Sequence, residues 1–281
     1  MLTACVNKAD RLSSYSVVSI KIIIYNMIRI LIFILSLFFV TACAQFGTGS
    51  TSNDNAPPAF LSEHIALFSS SATGGLPDGW RPLVLFRTKR KTEYQLVSEK
   101  NRTVLHARAV EASSGLMQYV GIDPLPEPLL HWEWKVGSMM ETKREAQYAA
   151  EDSPARIILG FDGDKDTLPF SDQILFDTAK LFTGYDFPYA TLMYIWDKDA
   201  PIGTVMTSRR SQRIKMLVVA NGAEGVGEWQ TFTRNIVEDF EKVFNEKPGK
   251  LIGVGVLTDT DNLGETVEAW YSDISLAPAK K

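Results

Sequence analysis

From residue 80 onward, apolar and polar positions alternate with period two. That is the spacing of strands with one wet face and one dry face. "TVLHARA" (103–109) sets Val104, His106 and Arg108 against Leu105 and Ala107. "LLHWEWKV" (129–136) sets His131, Glu133 and Lys135 against Leu130, Trp132, Trp134 and Val136. "VEAWYSDISL" (267–276) sets Glu268, Trp270, Ser272, Ile274 and Leu276 against Val267, Ala269, Tyr271 and Asp273. Less regular runs at 82–88, 93–98, 115–122, 155–163, 190–197, 212–220, 229–235 and 251–259 also read as strands, punctuated by Gly, Pro and Asp. So many short strands predict a mostly β chain, an antiparallel jelly-roll-like β-sandwich.

Two stretches break the period and predict short α-helical insertions. "SDQILFDTAKLFTG" (171–184) offers Ser171 as N-cap, Gly184 past the end, and Ile174, Leu175, Thr178, Leu181 and Phe182 as an apolar face. "NIVEDFEKVF" (235–244) opens with Asn235 and has Glu238 three residues on, an Asn variant of the capping box, with Pro248 beyond its end.

The tryptophans raise the first functional question. Trp132 and Trp134 share one face of "HWEWKV", opposite His131, Glu133 and Lys135. The charged face suits water, which assigns the Trp face to the core rather than to a flat sugar platform. Trp196, beside Asp197 at a strand end, is the better binding candidate, and Trp80 after "GLPDG" reads as a packing anchor.

Ahead of this domain lies a targeting region. "MIRILIFILSLFFVTAC" runs from Met27 to Cys43, with Arg29 before a long apolar stretch and small residues before the cysteine. It is short for a membrane span and has the layout of an export signal. "VTAC" resembles a bacterial lipobox, which predicts cleavage before Cys43 and lipidation of its sulfur. Residues 1–42 are therefore read as a signal region, with Met27 the more natural start. Residues 43–60 are read as lipidated cysteine plus a flexible, Pro-containing tether, and 61–281 as a single sandwich domain. Ala44 rather than Asp after the cysteine points to the outer membrane, facing the periplasm. The domain has no cysteine after Cys43, so it has neither disulfide nor thiol chemistry.

Charge narrows the partners. The whole chain carries 29 basic and 33 acidic residues, a net charge of −4. Residues 1–42 contribute Lys8, Arg11, Lys21 and Arg29 against Asp10, so the mature form holds about −7. An acidic chain argues against nucleic acid and against anionic lipid as partners.

Catalytic motifs are scarce. There is no Gly-rich phosphate loop, no G-x-S-x-G, no H-E-x-x-H, and the three histidines lie far apart. The acids carry more. "FDGDKDTLPFSDQ" places Asp162, Asp164 and Asp166 at alternate positions, like the opening of an EF-hand loop. Thr167 then stands where that loop needs Gly, and Gln173 where it needs Glu. Either a looser calcium site or a solvated acidic turn fits. "LTDTDNLGE" (257–265) adds Asp259, Asp261, Asn262 and Glu265 after another apolar strand. If the two clusters met at one rim, they could hold calcium or grip hydroxyls, with Arg213 or Arg234 supplying positive charge instead of a metal.

"FDGD", "FPYATLMYIWDKDAPIGTV", "RIKMLVV", "W-x-x-x-x-RNIVEDF" and "TDTDNLGE-x-x-EAWYSDI" together resemble the bacterial family catalogued as domain of unknown function 3047, over roughly residues 76–276. The resemblance implies an exported protein and no defined activity. The end motifs "GLPDGW" and "YSDISL" are similar to the ends of jelly-roll carbohydrate-binding modules. The sequence therefore predicts a lipid-anchored envelope protein with a non-catalytic, glycan-type binding module. Two alternatives stand beside it: a carboxylate-dependent carbohydrate-active enzyme and a structural envelope-assembly lipoprotein. The predicted ligand residues are Trp196, Asp197, Asp259, Asp261, Arg213 and Arg234, and the predicted metal residues are Asp162, Asp164 and Asp166.

Overall fold

The structure is a computed structural model that describes residues 58, 60–85, 87–141 and 152–279. The signal region, Cys43 and nearly all of the tether lie outside these residues. Among the described residues, the fold is mostly β: thirteen strands and two α-helices. The strands are β1 (Arg81–Leu83), β2 (Glu93–Glu99), β3 (Arg102–Val110), β4 (Ser113–Ile122), β5 (Leu129–Val136), β6 (Ser153–Phe161), β7 (Ala190–Asp197), β8 (Val205–Thr207), β9 (Ile214–Asn221), β10 (Gln230–Asn235), β11 (Leu251–Asp259), β12 (Thr266–Tyr271) and β13 (Ser275–Ala277). The helices are α1 (Phe170–Thr183) and α2 (Ile236–Phe244).

They form two sheets, a jelly-roll-like sandwich as the alternation predicts. One has seven strands in the order β1-β4-β11-β6-β7-β9-β8, antiparallel except for β7 with β9. The other runs β10-β5-β12-β3-β2, with β13 also on β5. The stretch 267–276 is therefore two strands rather than one. β12 pairs Ala269–Tyr271 with Val136–Trp134, the chain breaks at Ser272–Ile274, and β13 pairs with His131–Leu129. β8 has no counterpart in the sequence reading, because three residues, Val-Met-Thr, are too few to show a period.

β5 follows its pattern residue by residue, alternating half-buried and buried positions. Trp132 and Trp134 are 1% and 0% exposed, so the inward assignment holds. Trp132 stacks on Tyr194 of the opposite sheet at 5.1 Å and on Phe232 at 5.0 Å, and Trp134 meets Trp196 at 6.4 Å. Each such side chain buries roughly 150–250 Å² and dominates core energetics. β6 behaves differently: all nine of its residues are buried, although only one of its faces looks into the sandwich.

The helices differ in how well the sequence describes them. In α2, Asn235 caps as expected, accepting from the Val237 and Glu238 N–H groups, and its Nδ2 donates to Glu238 Oε1 at 2.7 Å. In α1, the C-terminal end is as expected: Gly184 takes φ +76°, a conformation that favours glycine, and donates to the Lys180 carbonyl. Its start is not. Pro169 stands at the N-cap, and Ser171 is already inside the helix. The expected apolar face is also displaced. Asp172 and Phe176 are the buried residues, whereas Ile174, Leu181 and Phe182 face outward.

Candidate binding cleft

The site lies on the outer face of the seven-stranded sheet. In β6, Ala155, Ile157, Leu159 and Phe161 point into the main core. Arg156 and Ile158 therefore point the other way, together with Leu257 and Asp259 of β11 and Met193 of β7. Two segments cross this outer face. After α1, Tyr185 and Phe187 pack on Leu83, Met117, Ile158 and Leu257. Around β8, Ala200 and Met206 cover Ile195, Met216 and Val218. Phe176 anchors α1 over the first crossing by stacking on Phe187 at 5.2 Å. Gly160 lies beneath this roof: a Cβ there would come within 3.0 Å of the Pro188 ring.

Between the crossings lies a cavity of about 90 Å³. Ile158, Met193, Met216 and Leu257 line it with Phe187 and Leu85, and its polar end holds Lys89, Arg156, Asp259, Asp261 and Asn262, with Ser208 and Arg210 also at its edge. One oxygen from each of Asp152, Asp259 and Asp261 lies within 4.8 Å of the others. Arg156 and Asp259 are each 6% exposed, with Arg156 Nη2 3.9 Å from Asp259 Oδ2. Lys89 pairs with Asp261. Asp152 accepts from Asn262 Nδ2 at 2.6 Å and from the Leu263 N–H at 2.7 Å.

This packing separates the carboxyls chemically. Burial pushes Asp259 well above the usual carboxylate range. Arg156 opposes that, while a hydrogen bond with Asp261 and the nearby Asp152 and Asp261 charges add to it. Burial also pushes Asp261 up, but hydrogen bonds from Asp259 and Lys89 outweigh it and leave Asp261 low. Asp152 is raised, mainly by burial. The shifts run in opposite directions, so a shared proton favours Asp259 over Asp261, with cations around both. Among the described residues, these three aspartates are the grouping that could hold a metal ion. An all-oxygen set suits a hard cation such as calcium, which would compete with Lys89 and Arg156 for it.

Behind the cleft, a buried hydroxyl network fixes the end of β11. Thr258 Oγ1 and Tyr271 Oη lie 2.8 Å apart, Thr92 Oγ1 donates to the Thr258 carbonyl at 2.8 Å, and the Thr258 N–H donates to Tyr94 Oη at 3.1 Å.

The two acidic loops do not meet. β6 and β11 are antiparallel, pairing Phe161 with Leu251 at one end and Ser153 with Asp259 at the other. Asp162 therefore sits at the opposite end of the sheet from Asp259 and Asp261, which meet Asp152 and Arg156 instead. Asp162, Asp164 and Asp166 are exposed. Asp162 Oδ1 accepts from the Gly163 N–H at 2.9 Å, and Asp164 Oδ1 from the Asp166 N–H at 3.1 Å. Asp164 thereby caps a short 3-10 turn at Lys165–Thr167.

Other expected ligand residues have structural partners. Trp196 is 0% exposed and donates to the Gly222 carbonyl at 3.0 Å. Asp197 ties down the turn after β7, accepting from the Asp199 and Ala200 N–H groups. Arg213 lies over the Tyr189 ring at 4.0 Å and pairs with Glu246. Arg234 binds Asp239, which also accepts from Tyr194 Oη at 2.8 Å. Sequence reading missed Lys89, Asp152 and Arg156. The usable signal was Arg156 itself, a charge inside the otherwise apolar run "ARIILGF".

A family model, "Protein of unknown function (DUF3047)", matches residues 78–275. None of the curated proteins matches the sequence. Solved structures resemble the chain loosely. Endoglucanase 3 from family GH12 of Trichoderma harzianum aligns at TM-score 0.38 with 7% identity, covering 78% of this chain and 96% of that one. A cellulase derived from Cel12A of Rhodothermus marinus aligns at 0.38 with 9% identity, covering 72% and 92%. The family 30 carbohydrate-binding module of a Clostridium thermocellum cellulase aligns at 0.33 with 10% identity, covering 79% and 96%. Superpositions this loose carry no argument about activity.

Proposed function

We propose that this chain, which belongs to the DUF3047 family of proteins of unknown function, is a lipid-anchored envelope protein whose domain binds a glycan-type ligand in the cleft on its seven-stranded sheet. One observation carries the binding reading. The outer face of that sheet is apolar, and its cleft ends in buried Arg156 and Asp259 beside the half-buried Lys89, Asp261 and Asn262. Apolar walls with a few convergent polar groups suit a ligand with hydrophobic ring faces and hydroxyl edges, and the roughly 90 Å³ enclosed here takes one such edge rather than a whole oligosaccharide. Asp261 accepts hydrogen bonds and Lys89, Arg156 and Asn262 donate them, while the Asp259 carboxyl, pushed upward by burial, can do both when it carries its proton.

The test is calorimetry of the mature chain against neutral and uronic-acid oligosaccharides. Binding should occur and weaken at least ~10-fold in Asp261→Ala and in Arg156→Ala, the ~1.4 kcal/mol expected from one lost hydrogen bond to a charged group. A panel with no binder, or a binder indifferent to both substitutions, overturns the reading.

The separation of Asp259 from Asp261 favours a second reading, a carboxylate-dependent hydrolase. Glycosidases hold their two carboxyls about 5–9.5 Å apart. Here one oxygen of each carboxyl lies within 4.8 Å of the other, at the short end of that range, which is why binding is preferred. Reducing sugar released by the parent chain but not by Asp259→Asn would reverse that preference.

Anchoring at Cys43 rests on the apolar run and "VTAC". Growth with an alkyne fatty acid should label the parent protein and leave Cys43→Ser unlabelled; equal labelling refutes the anchor.

A further inference from the structure

Helix α1 turns its apolar side chains the wrong way for a helix lying on a protein. Phe170, Ile174, Leu181 and Phe182 are 75%, 49%, 79% and 70% exposed. At 100° per residue, Phe170, Ile174 and Leu181 fall within about 40° of one another, and so form a stripe along the outer side. The inward side is served by Phe176 and the buried Asp172. No role in the cleft requires this stripe, because the cleft is lined by the segment that follows α1.

The segments that lead into and out of α1 lie close to where the chain enters the domain. Lys165 precedes α1 and Asp186 follows it, and they are joined by a 2.8 Å ion pair. Both line a cavity of about 300 Å³ that also includes Leu61. Ser62 fixes this entry point, donating to the Tyr119 carbonyl at 3.4 Å and accepting from the Gly121 N–H at 2.8 Å. Phe60, just before it, is 90% exposed.

We propose that the outer face of α1, with Phe60, docks on the lipid bilayer that Cys43 tethers. For its setting, this rests on the anchor reading above. Residues 44–57 span at most roughly 50 Å at about 3.5 Å per residue, so the domain stays within reach of the lipid surface. The helix then decides which side faces it. Exposed charge on α1 is limited to Asp177 and Lys180, and Lys180 pairs with Asp186 at 2.8 Å, so apolar insertion rather than charge drives the contact. Among the described residues, no helix is long and apolar enough to cross a membrane. A second copy is the weaker occupant. A 14-residue helix is about 21 Å long, and its stripe covers roughly a few hundred Å², against the ~1,200–2,000 Å² of stable interfaces.

The test uses the non-lipidated mature chain, residues 44–281, which keeps every strand and helix described. It is floated with vesicles of phosphatidylethanolamine and a minor share of phosphatidylglycerol. The parent should co-float. The combined Phe170→Ser, Ile174→Ser, Leu181→Ser and Phe182→Ser variant should lose at least ~10-fold in partition while keeping the parent's melting curve, since each side chain removes apolar area from the contact. Independently of that variant's folding, Phe182→Trp should shift its emission to the blue on vesicles. Absence of both flotation and blue shift overturns docking. So does a concentration-dependent dimer abolished by the same serines. Fatty-acid labelling at Cys43 without vesicle binding refutes the docking alone, and vesicle binding without labelling refutes the anchor alone.

Discussion

The two outer faces of the sandwich are built from the same kind of strand and end in opposite chemistry. On the six-stranded sheet, β5 alternates strictly; outward His131 meets the Thr233 hydroxyl at 2.7 Å, and Glu133 and Lys135 find partners in a charged lattice. Arg102 pairs with Glu133, and Lys135 with Glu99. Arg102 lies over the Trp229 ring at 4.1 Å and Lys135 over Trp270 at 4.0 Å, while His106 stacks on Trp270 at 4.8 Å. Aromatic rings are present, but cations and an imidazole already occupy their faces. On the seven-stranded sheet, β6 is buried on both sides, and its outward residues form small apolar clusters of their own. The lesson is that aromatic content does not mark the candidate ligand face here. A strand that stops alternating marks it, because such a strand has something to cover on both sides.

The largest expected effect breaks the symmetry between inward and outward tryptophans. Trp134 and Trp270 sit on neighbouring strands one register step apart, where Tyr271 pairs with Trp134 and Trp270 with Lys135. Trp134→Ala should cost about 3–5 kcal/mol, as core aromatic truncations do. Trp270→Ala should cost about 1–2 kcal/mol, chiefly cation contact and partial burial. Chemical denaturation of both variants checks this, and equal losses would mean that the outer lattice is as structural as the core.

The next effect concerns the seven-stranded face itself. Leu257 lies outside the main core, yet is only 5% exposed. Leu257→Ala should therefore behave like a core change, costing about 2–5 kcal/mol. His131→Ala, on the opposite outer face, should stay within about 0.5 kcal/mol. A small loss for Leu257→Ala would show that the 185–187 crossing lifts off readily, making the cleft wider in solution.

Much of this fold was legible. Alternation located most of the strands, and the Asn235–Glu238 pair located α2, because those signals are local. The assembly of the cleft was not local. Whether Asp259 meets Asp162 or Asp152 depends on strand direction, and the antiparallel pairing of β6 with β11 sends Asp162 to the far end. Trp196 looked available because it neighbours Asp197 at a strand end. One residue of register separates a buried indole from a turn-capping carboxylate. α1 misled for a different reason. Its apolar spacing is genuine, but sequence does not say whether an apolar stripe faces the protein or something outside it.

A smaller effect should appear as pH dependence on the cleft side. Burial holds Asp259 above its unfolded value, so the folded state keeps its proton longer. That stabilisation is fully present below the unfolded carboxylate range and is lost as pH rises through the raised value. Asp259→Asn fixes a neutral group of the same shape that can still donate to Asp261. Its melting temperature should fall less than the parent's as pH rises over that window, and should exceed the parent's above it. Parallel melting profiles would place Asp259 in its ordinary range.

The smallest effect tests whether the charged lattice of the six-stranded face is only surface chemistry. Arg102 is 38% exposed and its partner Glu133 29%, so solvent screens the pair. The guanidinium also covers Trp229, a contact less sensitive to salt than the ion pair. Arg102→Ala should cost about 0.5–1 kcal/mol at low salt, combining an exposed ion pair with an exposed cation–ring contact. At about 1 M salt, where the screening length is near 3 Å, the ionic share should vanish and the ring contact remain. Arg102→Lys should recover part of the ionic share but less of the stacking, because an ammonium does not lie flat on a ring. If Arg102→Ala instead cost several kcal/mol at every salt concentration, the lattice would be a buried network. The contrast between a wet face and a covered face would then have to rest on the cleft side alone.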